Sequence, residues 1–152
     1  MIEKPPVFFM HGLLVSADWW IVNQADNAPA FIAARAGYDV WLGNHRGNTY
    51  SRLHTRLNPD DDKDKEEYWN FSFHEMGIYD NPAVLDFISE KTNGQKVAYI
   101  GHSQGTAQFY VGSSLMPDYY EEKVPLFISL GTVTKVSHTE SKLIQGLSSW
   151  YD

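Results

Sequence analysis

Lys96-Val97-Ala98-Tyr99-Ile100-Gly101-His102-Ser103-Gln104-Gly105-Thr106 is the stretch on which the reading of this chain turns. Residues 96–100 read as a short buried strand, and residues 106–116 read as the helix that follows, stopped by Pro117. Between them stands a G-x-S-x-G pentapeptide. A serine on a tight strand-to-helix turn has a strained backbone that demands small neighbours, which Gly101 and Gly105 provide. Such a turn lifts the hydroxyl above the sheet, over a helix N-terminus whose free N–H groups favour developing negative charge. Ser103 is therefore the candidate nucleophile, with Gly101, His102 and Gly105 supporting its turn. A plain Gly/Ser turn without chemistry would have the same composition; the flanking strand and helix favour the first reading.

Upstream, Pro5-Pro6-Val7-Phe8-Phe9-Met10 is a second apolar run with strand character, and it ends in His11-Gly12-Leu13-Leu14. Asn27 can cap a helix that carries Pro29 in its first turn, continues through residues 30–35 and closes at Gly37. Residues 38–42 form the next strand. The acidic run from Asp60 to Glu67 reads as a solvated loop rather than a metal site, because it lacks the glycine and glutamate of a calcium loop. A helix is predicted from Asp80-Asn81-Pro82, with an apolar stripe of Val84, Leu85 and Ile88, closing at Gly94. Leu126-Phe127-Ile128-Ser129-Leu130 is a fourth strand. Strands alternating with helices predict right-handed βαβ units and an α/β fold with a parallel sheet. No internal repeat or low-complexity linker interrupts the pattern.

The composition limits the possible partners. A length of 152 residues allows one modest domain, and hydrophobic content of 43% with 14% aromatic residues is that of a packed protein. The formal charge of −7 argues against nucleic acid and against an anionic membrane surface. No apolar run approaches the ~20 residues of a membrane span. Absence of cysteine removes disulfides, thiolate chemistry and zinc-finger spacing. Neither a metal nor a cofactor is expected.

Taken in order, five blocks resemble the acid lipase family, the α/β-hydrolases that include gastric and lysosomal acid lipases. They are residues 9–14, residues 37–44, Arg46-Gly47-Asn48-Thr49-Tyr50-Ser51-Arg52, Phe71-Ser72-Phe73-His74-Glu75-Met76 with Tyr79-Asp80, and Gly101-His102-Ser103-Gln104-Gly105-Thr106. The block around Arg46-Gly47-Asn48 is more specific than the serine pentapeptide, which many hydrolases share. The resemblance implies a triacylglycerol or sterol-ester hydrolase with Ser103 as nucleophile. It also implies an oxyanion hole made by the backbone N–H groups of Leu13 and Gln104, with His11 and Gly12 supporting the turn. Two such donors are worth roughly 3 kcal/mol each in the transition state.

The resemblance also implies what is incomplete. Family members are more than twice this length, with two strands ahead of the first and with the cap, the triad acid and the catalytic histidine beyond the fourth. Both ends read as cuts: Met1-Ile2-Glu3-Lys4 leads almost directly into a strand without a signal peptide, and Gly146–Asp152 carries no stop signal. The expectation is a partial α/β-hydrolase domain over residues 1–152, its sheet in the order 38–42, 5–10, 96–100, 126–130. Missing segments or a partner chain would complete it. The family places such proteins outside the cell or in lysosomes.

Asp118, Glu121, Glu122 and His138 follow Ser103 in the order a triad requires, but the three acids sit just past the elbow helix, on the wrong side of the sheet. His138 follows the fourth strand and reads as an exposed loop residue. Without a base the serine is a weak nucleophile, so a non-catalytic remnant serving as a structural subunit is the competing reading. Trp19 and Trp20 read as aromatic core or as an acyl pocket, Arg46 as a loop anchor or a surface ion pair. Asn70-Phe71-Ser72 is a glycosylation sequon, usable if the chain is secreted.

Overall fold

The computed structural model describes residues 4–138, 140–142 and 145. The expected starts and stops at residues 1–3 and 146–152 lie outside the described residues. The first strand, β1 (Pro6–Met10), has no polar side chain on either face and is buried along its whole length. It occupies an interior position in a four-stranded parallel sheet. A 3-10 turn (Ala17–Trp20) and helix α1 (Pro29–Arg35) lead to β2 (Asp39–Gly43). Short helices α2 (Lys65–Trp69) and α3 (Phe73–Glu75) pass through a π turn (Met76–Asp80) into α4 (Asn81–Lys91). Then follow β3 (Ala98–His102), α5 (Gln104–Leu115), α6 (Pro117–Lys123) and β4 (Phe127–Leu130).

The sheet order is β2-β1-β3-β4, as the α/β-hydrolase reading requires. Phe8 is paired with Trp41 on one side and Tyr99 on the other; Gly101 is opposite Ser129. Alternate residues of β1 serve two cores. Phe8 and Met10 pack with Leu85, Ile88, Val97, Tyr99, Phe109 and Tyr120, beneath α4, α5 and α6. Val7 and Phe9 pack with Trp20 and Ala30 on the opposite face. Helices on both faces explain why the strand is apolar throughout rather than alternating.

Several boundaries differ from the sequence reading. The strand expected at 96–100 runs over 98–102, because pairing with β4 continues through His102↔Leu130. The helix expected from residue 106 begins at Gln104, directly after the serine. Asn27 does not cap α1; its N-cap is Ala28, with no side-chain bond, and Pro29 supplies the pre-set φ of the first turn. The helix expected from Asp80 starts seven residues earlier. A Ser72–Glu75 capping box opens it: Ser72 Oγ accepts from His74 N at 3.1 Å, and Glu75 Oε2 accepts from Ser72 N at 2.7 Å. The acidic run is a loop that ends in the short α2.

Candidate active site

The turn after β3 holds one of three non-glycine residues with positive φ among the described residues, Leu14 and Asn93 being the others. Ser103 has φ 51° and ψ −114°, a region that non-glycine residues occupy only where the surrounding structure imposes it. Its restraints are visible. Ser103 N donates to Leu130 O at 2.9 Å, and its carbonyl accepts from Thr106 N at 2.9 Å and Thr106 Oγ1 at 2.6 Å. Thr106 Oγ1 in turn accepts from Val133 N, tying the segment after β4 to the first turn of α5. Gly105 lets that turn press on the end of β1: a Cβ there would stand 2.6 Å from Met10 O. Any side chain would push α5 off the sheet.

The His11–Leu14 turn packs against the same point. A Cβ on Gly12 would lie 3.1 Å from Ser103 Cβ. Leu13 and Gln104 border one groove of about 590 Å³, with Leu14, Trp69, Phe71 and Met76 among its walls. The N–H of Gln104 opens a helix and has no intrahelical acceptor. Neither that amide nor the N–H of Leu13 donates to a backbone acceptor among the described residues. The structure thus brings together the serine, the two amides and the two supporting turns named from the sequence.

Beneath the turn lies a polar network. His11 is fully buried; its Nδ1 is 2.8 Å from Gly12 O and its Nε2 3.1 Å from Asn48 Nδ2. An amide nitrogen can only donate, so Nε2 accepts and the proton sits on Nδ1, donating to Gly12 O. Burial lowers the His11 pKa to about 4, and neighbouring His45, its ring 4.3 Å away, pushes the same way. Burial also lowers the pKa of His45. Asn48 Nδ2 donates as well to Asn44 Oδ1 at 2.7 Å, which accepts from Ala17 N. Arg46 anchors its loop through a carboxylate: Nε donates to Asp80 Oδ1 at 2.7 Å and the backbone N to Oδ2 at 3.0 Å.

His102 lies against the Gly12 turn, where a Cβ would stand 3.0 Å from its Nδ1, with its ring stacked on Trp19 at 5.7 Å and edge-on to Trp20. Trp20 is core and Trp19 is half exposed. No histidine among the described residues bonds the Ser103 hydroxyl, and His138 is exposed. Asp118, Glu121 and Glu122 lie on α6, beyond the far end of the 12-residue α5, about 18 Å of helix from the elbow. Reading the sequence assigned no role to Asn44, Asn48, Asp80 or Thr106. All four lie within the resembling blocks, which was the available signal.

The family model of the alpha/beta hydrolase fold matches residues 5–152, and the chain belongs to that family. Among curated relatives it is 47% identical over 139 residues to gastric triacylglycerol lipase of Mus musculus, covering 91% of this chain and 34% of that protein. It is 46% identical over 140 residues to lipase member K of Homo sapiens, covering 92% and 34%. Against human lysosomal acid lipase/cholesteryl ester hydrolase the figure is 43% over 140 residues, again 92% and 34%. The chain therefore spans about a third of the length of these relatives. Among solved structures, epoxide hydrolase A from Mycobacterium thermoresistibile superposes with a TM-score of 0.56 at 20% identity, covering 99% of this chain and 39% of that one; this likeness concerns the fold alone. Among the described residues no helix is long and apolar enough to cross a membrane.

Proposed function

We propose that this chain carries the nucleophile and the oxyanion donors of a serine hydrolase acting on lipid esters. The observation that supports it best is the strained Ser103 backbone held against the Gly12–Leu13 turn. A scaffold has no use for a serine at φ 51°. In the proposed reaction Ser103 Oγ attacks the ester carbonyl carbon and passes its proton to a base. The carbonyl electron pair moves to oxygen, and the N–H groups of Leu13 and Gln104 hold the resulting oxyanion. Collapse expels the alcohol, which takes the proton back, and water then releases the acid by the same route. The apolar groove of Leu13, Leu14, Trp69, Phe71 and Met76 suits an acyl chain. Relatives named as triacylglycerol lipase and cholesteryl ester hydrolase favour a triacylglycerol or sterol ester as substrate.

The base and its acid are proposed to come from outside the described residues, either from further sequence of the same protein or from a partner chain. The test is active-site labelling. In the complete protein a fluorophosphonate probe should label Ser103, and Ser103→Ala should remove the label. Labelling that survives the substitution sinks the assignment. A non-catalytic subunit is the second reading, favoured because no acid–base pair stands near Ser103 among the described residues, and an unlabelled complete protein would select it.

A further inference from the structure

We infer that Asn70 is an N-glycosylation site, and that its glycan stands on one wall of the groove that opens onto Leu13 and Gln104. Among the asparagines of the chain, only Asn70 is followed two places on by serine or threonine, and the residue between, Phe71, is not proline. The motif alone is weak, since many matches are never modified. Its setting here is what carries the inference. Asn70 follows the last residue of α2 with φ −75° and ψ 68°, and Phe71 N donates to Trp69 O at 2.8 Å across it. These are the angles and the bond of an inverse γ-turn, with Asn70 at its centre. Asn70 is exposed, and its side-chain amide makes no hydrogen bond among the described residues. Phe71 anchors the turn from below, half buried with its ring 6.0 Å from that of Trp69 and beneath the Arg46 guanidinium. The asparagine is thus presented at a fixed outward turn, with nothing in the fold that its loss would leave unpaired.

Ser72 adds a timing constraint. In the folded chain its hydroxyl is committed to the capping box with His74 N and Glu75. The acceptor hydroxyl of a sequon must be free to engage the transferase, so the sugar is added before this helix start closes. In the transfer, Asn70 Nδ2 attacks C1 of an oligosaccharide carried on a polyprenyl pyrophosphate. The N–C1 bond forms, the C1–O bond to the pyrophosphate breaks, the lipid pyrophosphate leaves, and one amide proton is lost to base. The modified residue then borders the depression lined by Leu13, Phe71, Phe73 and Gln104. This inference does not depend on the hydrolase reading. It requires that the chain pass through the lumen where such transfer occurs.

The test is peptide mapping of the protein secreted by animal cells and of the protein isolated from its own tissue. Release with peptide N-glycosidase in heavy-oxygen water converts a glycosylated Asn70 to a mass-marked aspartate. The expected result is a glycan on the peptide that carries residue 70, lost in Asn70→Gln, lost in Ser72→Ala and retained in Ser72→Thr. Asn70→Gln should be secreted and folded, since it breaks no contact, which separates lack of glycan from lack of folding. Recovery of the residue 70 peptide only in unmodified form, from either source, overturns the inference. A glycan that persists on that same peptide in Asn70→Gln overturns it equally.

Discussion

His11 is where a single residue has the widest reach. Its imidazole is buried and neutral, with the Nδ1 proton given to Gly12 O, so it holds the turn that presents the Leu13 amide. Protonation would put a second proton on Nε2, where Asn48 already donates, and would charge a ring beside His45. The ring binds a proton below about pH 4 when folded and below about 6.5 when unfolded. Between those values the unfolded chain binds more protons, so stability rises with pH and is lost as pH falls from 6.5 towards 4. The loss attributable to His11 reaches about 3 kcal/mol at pH 4. Urea denaturation across this range should show the slope, and His11→Gln should flatten it. An unchanged slope in the variant would place the proton uptake elsewhere.

At the scale of elements, Asp80 joins two parts of the structure that sequence separates by 34 residues. It closes the π turn that leads into α4, and it holds both the backbone and the guanidinium of Arg46 in the loop after β2. That loop carries Asn44 and Asn48, which reach the 3-10 turn and His11 in turn. Asp80→Ala leaves a partly buried Arg46 N–H without its acceptor and should cost about 2 kcal/mol. Chemical denaturation would measure it. Because the loop supports His11, the variant should also raise the reactivity of the Asn48 region to hydrogen exchange. A variant as stable as the parent would show that the clamp is dispensable.

In the sheet of the described residues β2 and β4 are the edge strands, and they are not equally exposed. On β2 the Trp41 indole is engaged by Asp39 at 2.8 Å and lies edge-on to Phe87. On β4 and just before it, Leu126, Ile128 and Leu130 are 52%, 39% and 41% exposed. An unpaired apolar edge in a parallel sheet recruits another strand. The 152-residue chain by itself should therefore aggregate or bind a partner through β4. A monodisperse monomer by light scattering, with slow amide exchange in β4, would refute this. The same chain should hydrolyse a short p-nitrophenyl ester no faster than its Ser103→Ala variant. Loss of base and acid typically removes about 10⁴ to 10⁶ in rate. A clear excess over the variant would mean that a residue such as His138 completes the site after all.

What the sequence determined by itself was local and periodic. The apolar runs located all four strands to within two residues, most clearly β1, which is buried along its whole length and carries no polar side chain. Gly101 and Gly105 marked the turn around Ser103, because a Cβ on Gly101 would stand 2.8 Å from Gly105 O and one on Gly105 2.6 Å from Met10 O. The strand order came with the family resemblance, since spacing alone does not say which parallel strands are neighbours. Only the tertiary structure decided the rest. Asn48 and His11 lie 37 residues apart, and Arg46 and Asp80 34; no periodicity relates such pairs. The state of His11 followed from burial, which a sequence does not display. The helix start at Ser72 was legible as an S-x-x-E signature, yet the stronger proline signal at Pro82 drew the boundary later. Propensity is a property of neighbours in the chain, whereas the charge, tautomer and partner of a buried group depend on whichever distant residues the fold sets around it.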